Sequence, residues 1–81
     1  MSRLEEIEAF VAVSQSTSFT EAADKFGIAK SVLSRRVSNL ERRLGVQLIQ
    51  RTTRQQALTE QGRDFLHRAE QLLADLVHSE G

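Results

Sequence analysis

Ser31, Ser34, Arg35, Ser38 and Arg42 recur at intervals of three and four, which on a helix of about 3.6 residues per turn gathers them on one side. Short hydroxyls let a helix backbone come close to a surface and bond its phosphates. Guanidinium forks reach phosphate in pairs of hydrogen bonds, or O6 and N7 of guanine. Lys30 adds an ammonium at the start of the same segment. A second group, Arg51-Thr52-Thr53-Arg54, sets two guanidiniums three apart with hydroxyls between them. On an exposed ribbon tip such a pair can grip backbone phosphates, or one arginine can enter a narrow minor groove, where the negative potential is strongest.

The elements that must hold these groups are legible from apolar spacing. Leu33, Val37, Leu40 and Leu44 fall within a narrow arc opposite the serines and arginines, so the spacing predicts a helix that buries one side and exposes the other. Gly45 stops it. Leu4, Ile7, Phe10 and Val11 predict an earlier amphipathic helix from about Arg3 to Ser14. Ser18-Phe19-Thr20-Glu21 fits a capping box, in which serine and glutamate each satisfy a free backbone N–H, and it predicts a second helix closed early by Gly27. Leu48-Ile49 and Ala57-Leu58 flank the polar stretch Gln50 to Gln56, a pattern for a two-stranded ribbon with an exposed tip. Thr59 is placed to cap a last helix running from Glu60 to about His78. The fold class expected is mainly α: a winged helix-turn-helix of three helices and a two-stranded β wing, followed by a long helix.

That last helix carries Phe65, Leu66, Ala69, Leu72, Leu73, Leu76 and Val77. The first of them can pack on the domain's own core. Beyond about Ala69 the helix outruns a body about 30 Å across, so the later ones need another surface. A partner copy of the same helix satisfies that need, and the spacing of Phe65, Ala69, Leu72 and Leu76 suits such a seam. The expected dimer contacts are Phe65, Ala69, Leu72, Leu73, Leu76 and Val77.

Charge is distributed unevenly under a formal net charge of zero. From Ser31 to Leu58 stand Arg35, Arg36, Arg42, Arg43, Arg51 and Arg54 against Glu41 alone, while both ends of the chain are acidic. The basic segment uses only arginine, which favours bidentate contact with phosphate over mere solubility. With 81 residues, 40% of them hydrophobic, the chain has room for one soluble domain, so a dimer is a natural source of further buried area. No cysteine is present, which removes disulfides and thiolate metal sites and suits the cytoplasm. The longest apolar run, Ala9 to Val13, is far short of a bilayer span, and the start lacks the pattern of a secretory leader. His67 and His78 stand apart from any ligand cluster, and no glycine-rich phosphate loop or ordered nucleophile is seen. Neither a metal, a cofactor nor an enzyme is expected.

Phe19-Thr20-Glu21-Ala22-Ala23, Ser34-Arg35-Arg36-Val37 with Leu40-Glu41 and Leu44-Gly45, Leu48 with Arg51-Thr52-Thr53-Arg54, and Leu58-Thr59-Glu60-Gln61-Gly62 follow one another in an order and spacing that resemble the DNA-binding part of LysR-type transcriptional regulators. The resemblance implies a dimer on double-stranded promoter DNA, with the third helix of each subunit in a major groove. It places the wings at flanking minor grooves and pairs the subunits through a linker helix. It divides the chain into a DNA-binding domain at 1–58 and a linker helix at 59–81, and implies an effector-binding domain that this chain does not hold and tetramers in the full-length protein. Carried over by position, Ser34 bonds a phosphate and Arg35 reads bases or the adjacent backbone. Lys30 and Ser31 give sequence-specific contacts, and Arg54 enters the minor groove with Arg51 in support. Ala29 stands where serine or threonine often caps the third helix, and Lys30 where glutamine or proline is frequent. Two rival readings remain open on the residues alone: a helical protein-interaction module, and a non-specific architectural DNA binder.

Overall fold

The computed structural model describes residues 3–51 and 56–80, with the side chains of Gln56 and of residues 76–80 outside the description. Its elements run α1 (Arg3–Ser14), α2 (Phe19–Phe26), α3 (Lys30–Leu44), β1 (Ile49–Arg51), β2 (Gln56–Leu58) and α4 (Glu60–Glu80). The strands pair antiparallel with Ile49 opposite Leu58 and Arg51 opposite Gln56. This is the expected winged helix-turn-helix with a long helix after it.

Helix boundaries follow from local chemistry. Ser18 caps α2 by accepting from the Glu21 N–H at 3.1 Å. The other half of the expected capping box is shifted: Glu21 accepts from Thr17 N–H at 3.4 Å and from Thr17 Oγ1 at 2.8 Å, one residue earlier than a capping box requires. Gly27 (φ 67°) and Gly45 (φ 73°) end α2 and α3 in the left-handed conformation that glycine adopts without a Cβ clash. Thr59 caps α4 as expected, its Oγ1 accepting from Gly62 N–H at 2.9 Å.

The core is built where α1, α2 and α3 meet, from Ala9, Phe10, Val13, Ala22, Ala23, Leu33, Val37 and Leu40, with Leu48 and Ile49 added at the wing's root. Ala22 and Ala23 let α2 and α3 approach closely. Each fully buried leucine or phenylalanine contributes about 1.5–3 kcal/mol by leaving water. Two expected apolar positions depart from this core: Leu4 and Leu44 are 42% and 41% exposed. Leu4 is the second residue of α1 and Leu44 the last of α3.

One core position is acidic. Glu6 shares the inward stripe of Ala9, Phe10 and Val13, is 1% exposed, and accepts from Arg43 Nη2 at 3.0 Å. The i, i+3, i+4, i+7 spacing of those four residues is visible in the sequence, and it was the available sign that this glutamate is buried.

α4 is rooted on the same body. The Phe65 ring stands 5.6 Å from Phe10 at an interplanar angle of 60°, Ala69 is 2% exposed, and Leu73 packs partly buried on the core. Gln15 Nε2 donates to Glu70 Oε2 at 3.3 Å. Of the residues expected at the dimer seam, Ala69 is buried within its own chain and Phe65 is partly buried against Phe10. Leu72, by contrast, is 47% exposed. Leu76 and Val77 lie on α4, with side chains outside the described residues.

Candidate nucleic-acid interface

α3 presents two chemically distinct sides. Leu33, Val37 and Leu40 are buried, whereas Lys30, Ser31, Arg35 and Arg42 are exposed and Ser34 and Ser38 half-buried between them. The side chains of Lys30, Arg35 and Arg42 have no ion pair or hydrogen bond to other described residues. The helix starts at Lys30 with Ala29 as its N-cap, and no side chain caps it. No acid occupies its first turn. The positive end of the helix dipole therefore coincides with a lysine and lacks the compensating carboxylate most helices place there. An anion is the ligand such a start favours.

The arginine-rich segment is less basic at its surface than in its sequence. Arg43 is held by Glu6, and Arg36 Nη2 lies 3.7 Å from Glu5 Oε2 with its side chain only 19% exposed. These two guanidiniums point back to α1, whose acids the sequence segregates into a separate stretch. Summing charges along the chain hides that pairing, because the partners lie more than thirty residues apart in sequence.

Arg51 is the last residue of β1 and is paired with Gln56. Its Nη2 donates to Ser38 Oγ at 3.4 Å and lies 4.0 Å from Glu41 Oε1, and its guanidinium carbon stands 5.0 Å from the centroid of the Phe19 ring. Arg51 thus joins the wing to α2 and α3. Thr52, Thr53 and Arg54, expected at the wing, lie outside the described residues.

Glu41 is the residue that sequence reasoning missed. Its carboxylate Oε2 accepts from Leu48 N–H at 2.8 Å and Ile49 N–H at 3.0 Å, and its backbone carbonyl accepts from Gly45 N–H at 2.8 Å and Val46 N–H at 3.2 Å. A single acid among six arginines reads in sequence as a lone counter-charge, and no local pattern reveals a side chain reaching forward to backbone seven and eight residues on.

Among the described residues no group of three potential metal ligands comes together, and no helix is long and apolar enough to cross a membrane.

A three-helix body with a buried leucine edge on α3, an outward basic and hydroxylic face, and a two-stranded ribbon beside it defines a winged helix-turn-helix domain. The family model of bacterial regulatory helix-turn-helix proteins, lysR family, matches residues 4–63, and the chain belongs to that family. Among curated proteins it is 45% identical over 76 residues to the HTH-type transcriptional regulator CrgA of Neisseria meningitidis, covering 94% of this chain and 25% of that protein. Against BenM, a regulator of Acinetobacter baylyi, it is 44% identical over 73 residues, 90% of this chain and 24% of BenM. The chain thus spans about a quarter of the length of the curated relatives it matches. Among solved structures, a BenM DBD/catB site 1 DNA complex superposes with a TM-score of 0.91 at 41% identity, covering 96% of this chain and 84% of that one. A CbnR DBD-DNA complex gives 0.92 at 28% identity, covering 98% and 91%.

Proposed function

We propose that this chain is the DNA-reading part of a LysR-type transcriptional regulator, binding double-stranded promoter DNA sequence-specifically as a homodimer. The observation that carries the reading is the outer face of α3, where Lys30, Ser31, Arg35 and Arg42 are exposed and the three cationic side chains have no ion-pair partner among the described residues. Phosphate contacts from Ser34, Ser38 and Arg42 dock the helix, and Lys30, Ser31 and Arg35 give the sequence-specific contacts in the major groove. The wing then reaches the adjacent minor groove, with Arg54 as its inserted cation and Arg51 and the two threonines in support. The relatives solved with DNA share this architecture, which favours the same use here.

Residues 1–58 form the reading domain in this account and residues 59–81 the helix that pairs two copies. Exposed Leu72 supplies the described part of the seam, with Leu73 at its edge and Leu76 and Val77 continuing it. The relatives' greater length supports an effector-sensing domain elsewhere in a longer protein, one that works in the cytoplasm and carries out regulation and not catalysis.

Selection of bound sites from a random duplex pool, followed by competition between the selected and a scrambled duplex, tests the reading. A defined half-site and strong preference for it are expected. Equal affinity for both duplexes would leave only charge-driven association.

A further inference from the structure

The junction between α3 and the wing is organised by one residue. Glu41 collects four backbone N–H groups: those of Gly45 and Val46 on its carbonyl, and those of Leu48 and Ile49 on its carboxylate. The first pair closes the helix through Gly45 in its left-handed conformation. The second pair sits where the chain turns into β1. Consecutive amides of an extended strand point in opposite directions, so two of them can meet one oxygen only if the backbone bends there. The carboxylate holds that bend.

Leu48 and Ile49 are 0% and 2% exposed, so water has little access to replace the acceptor. Bonds from backbone amides to an ionised carboxylate are also stronger than amide–carbonyl bonds. Oε1 of the same group faces Arg51 at 4.0 Å, and Arg51 in turn reaches Ser38 on the outer side of α3 and covers the Phe19 ring. Glu41 therefore touches the direction in which the wing departs and the arginine that ties the wing back to α3.

We propose that Glu41 is a positioning residue that fixes the wing at a set angle to the reading helix, so that helix and ribbon engage neighbouring grooves together. This rests on the reading of α3 and the wing as a DNA interface. Glu41 itself touches no DNA; its effect falls on the part of the site read by the wing.

The test uses the 81-residue chain and a duplex recovered by selection, with two derivatives: one with the half-site core scrambled, one with only the flanks replaced. For wild type, each change weakens binding. Glu41→Ala is expected to reduce the flank preference about tenfold while leaving the core preference within about twofold. Glu41→Gln, whose amide oxygen can still accept from both backbone groups, is expected to keep most of the flank preference. A Glu41→Ala protein that retains the wild-type flank preference overturns the proposal, and so does one that loses core and flank preference in equal proportion. Should Glu41→Ala not fold by circular dichroism, Glu41→Asp decides: a carboxylate one methylene too short is expected to lower flank preference about threefold, and an unchanged value overturns the proposal. Failure of the underlying DNA reading is distinguishable, because wild type would then show no core preference at all.

Discussion

The Leu48 carbonyl lies so close to Gly62 that no Cβ fits between them. The same carbonyl accepts from Thr59 N–H at 3.0 Å, and Thr59 Oγ1 donates to the Gln47 carbonyl at 2.6 Å. Wing and α4 are therefore joined backbone to backbone. Gly62→Ala is expected to destabilise the fold by about 1–3 kcal/mol, since a methyl group forces the strand root away from the helix. Urea denaturation measures it, and an unchanged midpoint would show that the two backbones separate freely.

The Arg43–Glu6 pair is expected to matter more for stability than for binding. Removing the guanidinium leaves a carboxylate that is 1% exposed with Oε1 already lacking a hydrogen-bond partner among the described residues. Arg43→Met should cost about 1–3 kcal/mol, less than breaking a fully buried pair because the arginine side chain is 42% exposed. In the background of Glu6→Gln the same substitution should cost clearly less. Equal costs in the two backgrounds, read by denaturation, would mean that the pair is not coupled.

Arg35→Ala is expected to weaken binding to the selected duplex by about 1–3 kcal/mol and to relax preference at one base position. Isotherms on every single-base variant of the half-site check it. A loss of equal size on random DNA would make Arg35 a phosphate contact and not a reader.

Salt dependence separates the free arginines from the engaged ones. Arg42→Ala should lower the slope of log K against log salt by about 0.9, the value for one lost phosphate contact. Arg36→Ala should leave the slope in place, because Arg36 faces Glu5 and is largely covered. Titrations at several potassium chloride concentrations decide between them.

A pH effect is localised at the start of α2. Hydrogen bonds from the Thr17 side chain and backbone, with a smaller attraction from Lys25, hold the Glu21 carboxyl below its ordinary 4.5. A carboxyl depressed in the folded state stabilises it fully above the unfolded value and loses that contribution as pH falls through the folded value. Thr17→Val removes the 2.8 Å bond, so the Glu21 carbon-13 titration is expected to move up toward 4.5. An unmoved titration would contradict the assignment of the shift to Thr17.

Helix boundaries were legible in the sequence because they depend on near neighbours: apolar spacing placed α1 and α3, Ser18 marked α2, and Gly27 and Gly45 marked the stops. At Ala29, where serine or threonine often caps the third helix, no side chain does so. The outer face of α3 was legible for the same reason, since a helix converts spacing into direction. What stayed hidden depends on distant pairing. Arg36 and Arg43 reach α1, Arg51 reaches Ser38, and Glu41 turns from a minority charge into a partner of the wing's backbone. The Gly62 requirement was hidden too: a glycine inside a helix shows its purpose only when the backbone crossing it is known.

α1 lies between α3 and α4, joined to the first by the apolar core and the Glu5 and Glu6 ion pairs and to the second by Phe10 against Phe65 and Gln15 with Glu70. Interlocked contacts of this kind are stiff. A force applied along α4 is therefore expected to be felt at α3 by way of α1, which acts as the keel between them.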